Sequence, residues 1–436
     1  SPLENLTNLQ FLYCYNTKVS DLSPLASLTQ LQLLNCSSTQ VSDLSPLSNL
    51  TALHTLSCYA TEISDLLPLS GLVTLQTFEF SSSKVSDLSP LSKLLSLQRL
   101  FCSSKEVADL SQIANLTSLQ TLICDFAQVS DLSPLANLQN LSWLNCSSTQ
   151  ISDLSPLSNL RSLKTLVCSS TQVSDLSPLS NILDFEWLSC AFTQVSDLSS
   201  LLPQIEKGID VNWVEWSGHE SINVLNCPLI CPPVEVAQES PQAVRDYFEE
   251  LGDDGRKLNE VKVIFLGEAS AGKTSLVKRL LGEDFDSKES QTHGIRIRKV
   301  PFAMDDGDSV TAHLWDFGGQ EVMHATHQFF LSQRSVYVLL LNSRNDDQAE
   351  KWLKHAASFG GRSPVLVVLN KIDENPSFEV NRKTLQEKYP QIRDFFRLSA
   401  KTDKGLAEFR EALRREIDRA DTRRTPFPKH WLAVKE

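Results

Sequence analysis

The sequence lacks what a membrane-spanning chain needs. No apolar run approaches the ~18 residues that cross a bilayer; "SVYVLLLN" at 335–342 has instead the length of a buried parallel strand. Positive charge is in deficit too. With 40 Lys and Arg against 53 Asp and Glu, a net charge of -13, the chain has none of the basic footprint of a general nucleic-acid binder. It has neither an initiator methionine nor a signal peptide, and "SPLENL" reads as the middle of a repeat. It is therefore expected to be an excerpt of a longer protein, so the missing targeting signal excludes nothing. A hydrophobic content of 41% excludes a wholly disordered chain, and 436 residues suffice for two domains or for one domain and a repeat array.

Cysteine is not scarce, but its spacing is not that of a disulfide framework. Cys14, Cys36, Cys58, Cys102, Cys124, Cys146, Cys168 and Cys190 fall on a period of 22, with Phe80 on the remaining rung. Each unit reads like "NLTALHTLSCYATEISDLLPLS": leucines three apart, a strand core x-Leu-x-Cys-x, a polar turn, then "SDLSPL". This resembles the leucine-rich repeat, with Cys in place of the last strand leucine and Thr17, Thr39, Thr61, Thr149, Thr171 and Thr193 at the usual asparagine. One unit cannot bury its leucine edge, but stacked units pair strands about 4.8 Å apart over one continuous core. The cysteines are expected inside it as free thiols, which predicts a reducing, cytoplasmic location.

Asp21, Asp43, Asp65, Asp87, Asp109, Asp131, Asp153, Asp175 and Asp197 repeat with the same period. A carboxylate row could bind cations, but Ser-Asp ahead of "LSPL" predicts capping of a short helical turn, with proline where its missing N–H costs nothing. On the concave side the outward strand positions hold Phe11, Tyr13, Tyr15, Tyr59, Phe101, Trp143 and Trp187, a candidate protein-partner surface. The period fails after about residue 202. The organisation expected is repeats over 1–222, the last one degenerate, a linker with a helix over 223–256, a nucleotide domain over 257–422, and the start of another domain over 423–436. Cys227 and Cys231 lie at the proline-marked junction, without the Cys/His partners of a zinc site.

In the second half, "KVIFLG" feeds "GEASAGKTSL", a strand, a glycine loop and a helix, the context in which a phosphate-loop match is meaningful. Gly267, Glu268, Ala269, Ser270, Ala271, Gly272, Lys273, Thr274 and Ser275 are the candidate phosphate cradle. Lys273 would reach the β- and γ-phosphates and Thr274 would coordinate Mg²⁺. "VLVVLNKIDE" places Asn370, Lys371 and Asp373 after a hydrophobic strand, where a carboxylate can accept from guanine N1–H and its exocyclic amine. "RLSAKT" adds Ser399, Ala400 and Lys401 behind the base. Asp316 in "HLWDFGGQE" suits Mg²⁺, Gly319 offers an N–H to the γ-phosphate, and Gln320 would orient the attacking water. Thr292 in "SQTHGI" would complete the metal shell when GTP is present, so that Thr274, Thr292 and Asp316 form the metal set and Gln320, Lys273 and Thr292 the catalytic one. Strands are expected near 261–266, 295–303, 310–316, 335–342, 364–370 and 392–398, in a mostly parallel sheet with helices on both faces. "DDGD" at 305–308 is expected as a hairpin turn, His324 and His327 as switch packing or surface, and Arg344 as a candidate arginine finger or a surface residue.

The fold class expected is α/β, a leucine-rich-repeat solenoid followed by a Ras-like P-loop GTPase domain. With "GEASAGKTSL", "SQTHGI", "WDFGGQE" and "NKIDENP" behind such repeats, the chain resembles the Roco family, of bacterial type, in which the Ras-like domain is called Roc and a COR domain follows. "DTRRTPFPKHWLAVKE" looks like the start of COR. The resemblance implies a GTPase that hydrolyses GTP slowly with Mg²⁺, cycles between GTP and GDP, couples nucleotide state to the repeats, and forms a homodimer through COR. The alternative is a scaffold that holds the nucleotide without hydrolysing it. Ala269 and Ser270 stand where small GTPases often have glycine, which would crowd an incoming arginine finger.

Overall fold

The computed structural model describes residues 2–214, 220–252, 256–257, 259–289, 294–305, 307–318, 334–342, 349–361 and 363–428. The chain divides into two compact units, Ser1–Gly252 and Asp253–Glu436.

The first unit is a parallel sheet of eleven three-residue strands, from Phe11–Tyr13 to Trp187–Ser189 in sequence order. The last two exchange places: Ser221–Asn223 pairs with Trp187–Ser189, and Asp210–Asn212 lies outside it. Strands repeat in register at the same unit position, as in Trp143↔Thr165↔Trp187. The alternation x-Leu-x sends each strand leucine inward, so Leu34, Leu56, Leu100, Leu122, Leu144 and Leu166 are all fully buried. Their burial, at about 1.5–3 kcal/mol for each side chain, drives the stacking. Truncating one in mid-stack leaves a cavity that neighbours on both sides cannot fill. Leu144→Ala is expected to cost about 3 kcal/mol, read as a lowered midpoint in chemical denaturation of the repeat unit.

All ten cysteines are free thiols, and all but half-buried Cys14 are buried. Desolvation pushes Cys36, Cys124 and Cys168 up to about 12, so they remain neutral apolar filling. On the rung without cysteine, Phe80 packs on Phe78 with ring centroids 5.0 Å apart. The threonines have a repeated duty: Thr39 Oγ1 donates to the Cys36 carbonyl at 2.6 Å, as do Thr17, Thr61, Thr149, Thr171 and Thr193 to the cysteine three residues back.

The aspartates hold the short helical turns. Asp131 Oδ1 accepts from the Ser133 N–H at 2.7 Å ahead of the turn Ser133–Leu135, and all nine aspartates make the equivalent bond. The cap comes from one residue earlier than the usual boundary position, which a buried leucine such as Leu132 occupies. Phe11, Tyr13, Tyr15, Tyr59 and Trp143 are exposed, while Phe101 and Trp187 are half-buried.

The helix expected in the 223–256 linker, Pro241–Leu251, is part of the repeat unit's core. Ser240 caps it by accepting from Ala243 N–H at 3.0 Å, and Val244, Tyr247 and Phe248 bury into the core beside the final strands. It protects a sheet end that would otherwise be open to pairing. Cys227 Sγ donates to the Cys190 carbonyl at 3.1 Å, and Tyr247 Oη lies 3.7 Å from Cys231 Sγ, so both junction cysteines belong to the same packing.

In the second unit the strands are β1 Glu260–Leu266, β2 Ile295–Ala303, β3 Ser309–Phe317, β4 Val336–Leu341, β5 Val365–Leu369 and β6 Ile392–Arg397, in the order β2-β3-β1-β4-β5-β6. Only the β2–β3 pair of this sheet is antiparallel, closed by a turn in which Met304 N–H donates to Asp308 O at 2.9 Å. Among the described residues the helices are α1 Lys273–Leu280, α2 Ala349–Gly360, α3 Arg382–Lys388, α4 Leu406–Asp418 and the single turn α5 Asp421–Arg424. Leu276, Val277 and Leu280 of α1 join Phe409, Leu413 and Ile417 of α4 on one face of the sheet. On the other face Trp352 and Leu353 of α2 join Leu385 of α3. A two-residue ribbon, Arg256–Lys257 paired antiparallel with Pro426–Phe427, brings the unit's incoming and outgoing chain together. Among the described residues no helix is long and apolar enough to cross a membrane.

Candidate functional site

β1 ends at Leu266, and the loop that follows is shaped by two glycines, Gly267 and Gly272, at which any side chain would be strained. Gly267 has φ +138°, and a Cβ there would stand 2.3 Å from the Leu340 carbonyl oxygen of β4. Gly272 has φ +91°, and its Cβ would meet Asn370 Nδ2 at 2.3 Å. The left-handed backbone and the close approaches curl the loop into a cradle at the N-terminus of α1, where amides and helix dipole favour an anion. Ser270 also takes a left-handed conformation, φ +61°.

Lys273, buried at the start of α1, arches back over this loop. Its Nζ donates to the carbonyls of Gly267 at 2.8 Å and Glu268 at 2.9 Å. Burial lowers its pKa to about 8, against the opposing pull of Asp316 and Glu268. An ammonium in such a setting gains from a nearby anion. The Glu268 side chain points elsewhere: its Oε1 accepts from Trp352 Nε1 of α2 at 3.3 Å.

Thr274 Oγ1 donates to Asp316 Oδ2 at 2.7 Å, joining α1 to the end of β3, and Asp316 is 1% exposed. A hydroxyl and a carboxylate at the mouth of a phosphate cradle are the hard-oxygen donors that suit Mg²⁺. The expected third donor, Thr292, lies outside the described residues, as do Gly319, Gln320, His324, His327 and Arg344.

Asn370, just past β5, joins two loops. Its Nδ2 donates to the Ala271 carbonyl at 2.9 Å, and its Oδ1 accepts from Ala400 N–H at 3.2 Å. The next residue, Lys371, has φ +63°, which turns the chain so that exposed Asp373 borders the cavity. After β6, fully buried Ser399 closes its own loop, with its N–H on Lys404 O at 3.0 Å and its Oγ accepting from Thr402 N–H at 3.2 Å.

These pieces enclose a cavity of about 530 Å³. Of the residues anticipated from sequence, Ala269, Ser270, Gly272, Lys273, Thr274, Ser275, Asn370, Lys371, Asp373, Ala400 and Lys401 line it. Gly267, Glu268, Ala271, Asp316 and Ser399 are not among its lining residues. Phe285, Asp286, Ser287, Glu289, Phe317 and Glu374 also line it and were not anticipated. The first four sit in an irregular stretch after α1 with no periodic pattern to mark them, whereas Phe317 and Glu374 adjoin recognised motifs and could have been found by adjacency.

Comparison with known proteins gives the same two parts. The family "Ras of Complex, Roc, domain of DAPkinase" matches residues 262–373, and the family of paired leucine-rich repeats matches 29–72 and 139–181. The probable serine/threonine-protein kinase pats1 of Dictyostelium discoideum is 25% identical over 232 residues, 47% of this chain and 7% of that protein. The probable serine/threonine-protein kinase roco5 of the same organism is 31% identical over 175 residues, 35% of this chain and 6% of that one. A Roc-COR-CHAT protease of Runella zeae is 28% identical over 208 residues, 41% of this chain and 22% of that protein. The chain thus spans less than a quarter of the length of these relatives. Among solved structures, the Roco2 RocCORdC of Methanosarcina barkeri bound to GDP is 58% identical, covering 42% of this chain and 56% of that one with a TM-score of 0.40. An internalin of Listeria monocytogenes is 33% identical, covering 51% and 63%, with a TM-score of 0.46.

Proposed function

Since this chain joins leucine-rich repeats to a Roc domain, the Ras-like GTP-binding domain of Roco proteins, we propose that it is a guanine-nucleotide switch that hydrolyses GTP slowly with Mg²⁺. The observation that carries the reading is the convergence of the phosphate loop and both base-side loops on one cavity. Its Gly272 can approach Asn370 only because it has no side chain. The phosphates would lie along the loop under Lys273, replacing the Gly267 and Glu268 carbonyls as its partners. Thr274 and Asp316 would hold Mg²⁺, which supplies charge neutralisation at the phosphates when bound. Asp373 would accept from guanine, and Ala400 and Lys401 would back the ring.

Gln320 is assigned to orient the attacking water, and Thr292 to report the third phosphate. Nucleotide state would then pass to the repeats and to dimerisation through COR. The concave aromatics Phe11, Tyr13, Tyr15, Tyr59 and Trp143 would offer a protein partner an exposed surface.

Single-turnover release of phosphate from bound GTP tests the switch. Gln320→Leu is expected to slow it at least ~10-fold while leaving GDP binding intact. An unchanged rate assigns water positioning to another group. A wild-type protein that binds GTP and releases no phosphate is the scaffold instead.

A further inference from the structure

Arg279 lies on α1 outside the cavity, yet its guanidinium joins three walls of the site. Its Nε donates to Asp403 Oδ1 at 2.7 Å and its Nη2 donates to Asp403 Oδ2, a two-pronged pair between planar groups. Its Nη1 donates to the Glu283 carbonyl at 2.9 Å and lies 3.6 Å from Asp284 Oδ1. The arginine side chain is 17% exposed and that of Asp403 47%.

Each partner belongs to a different part of the pocket. Asp403 has φ +62° and sits on the loop from Ser399 to Gly405, which carries Ala400 and Lys401 to the base end of the cavity. That loop is tightly closed: the Ser399 N–H to Lys404 O bond pinches it, and a Cβ on Gly405 would meet Arg397 O at 2.3 Å. A grip on Asp403 therefore moves the loop as a body. Glu283 and Asp284 begin the stretch that brings Phe285, Asp286, Ser287 and Glu289 down the facing wall. α1 itself carries Lys273 and Thr274 at its other end.

We infer that Arg279 is a positioning residue that sets how long a guanine nucleotide stays bound, by locking the base loop and the facing wall to the phosphate-bearing helix. The inference rests on the nucleotide reading above. In this inference the nucleotide leaves as the base loop parts from α1, a motion that breaks the Arg279–Asp403 pair along with the Asn370 bridge between Ala271 and Ala400. Lysine could supply the charge but not the planar fork that holds Asp403 and the Glu283 carbonyl together.

The test is the release of fluorescently labelled GDP, chased with excess unlabelled GDP in Mg²⁺ buffer, from the whole chain and its variants. Arg279→Met and Asp403→Ser are each expected to speed release about tenfold at unchanged association rate and binding stoichiometry, since breaking a contact that closes a bound state acts on dissociation. The double variant is expected to be no faster than Arg279→Met, because Asp403→Ser then removes only a partner whose bond is already broken. Arg279→Lys should fall between wild type and Arg279→Met. Asp403→Ser leaves the Arg279 bond to Glu283 O in place and decides the question even where Arg279→Met fails to fold. Unchanged release in Asp403→Ser, an additive double variant, or a loss confined to stoichiometry overturns the inference. A wild-type chain that does not bind labelled GDP sinks the nucleotide reading and this inference with it.

Discussion

Lys273→Ala is expected to weaken GDP and GTP binding at least ~100-fold, because two charge-assisted hydrogen bonds to phosphate are worth about 1.5–3 kcal/mol each. The loss should come without unfolding. The lysine is a buried cation held by the loop carbonyls of Gly267 and Glu268, and the loop's shape depends on Gly267 and Gly272 rather than on it. Titration of labelled GDP beside a thermal melt of the unliganded protein separates the two effects. Wild-type affinity in the variant would remove the phosphate assignment.

The same lysine predicts a pH dependence whose sign follows from its burial. In the unliganded protein its pKa is lowered to about 8, and bound phosphate would raise it. Below pH 8 the ammonium is charged in both states and affinity is flat. Above about pH 8 the free protein loses the proton first, so binding must take one up and affinity falls by about tenfold per pH unit. Lys273→Ala should abolish that slope. Stability of the unliganded protein runs the other way. The folded pKa lies below the 10.5 of an ordinary lysine, so the cost of burying the charge is relieved as pH rises from about 8 towards 10.5.

The second large effect is at the base. Asp373→Asn is expected to lower GDP affinity by ~100-fold or more, since an amide turned toward guanine cannot accept from both N1–H and the exocyclic amine, and a buried donor left without an acceptor is strongly rejected. Xanthine, which carries an oxygen in place of that amine, pairs with the amide. Xanthosine diphosphate should therefore gain on GDP in a competition titration. An asparagine variant that keeps guanine preference would place base recognition elsewhere than on Asp373, which borders the cavity from an exposed position.

Much of this was legible in the sequence where a physical rule forces a pattern. A stack of units must repeat its inward leucines, so the period of Leu100, Leu122 and Leu144 could be read directly. Buried parallel strands must be apolar throughout, and β4 and β5 lie where "VYVLLL" and "VLVVL" place them. Legibility fails where position depends on partners distant in sequence. Asp210–Asn212 and Ser221–Asn223 exchange order in the sheet, and no local residue announces it. The helix Pro241–Leu251 was visible from Ser240 and its apolar stripe, but not that Val244, Tyr247 and Phe248 would close the repeat core. The Glu268–Trp352 and Arg279–Asp403 bonds join residues with no shared motif. In the cavity, motif residues were found and the irregular wall from Phe285 to Glu289 was not, since loops leave no period.

The two-residue ribbon of Arg256–Lys257 against Pro426–Phe427 has a mechanical consequence. The register sets Arg256 opposite Phe427 at the outer end, so a tension drawing the incoming and outgoing chain apart opens the ribbon from that end, one pairing after another. Bonds loaded singly yield at lower force than bonds loaded together in shear. The ribbon thus lies ahead of β1, which begins at Glu260 on the same chain, on the path such a tension takes.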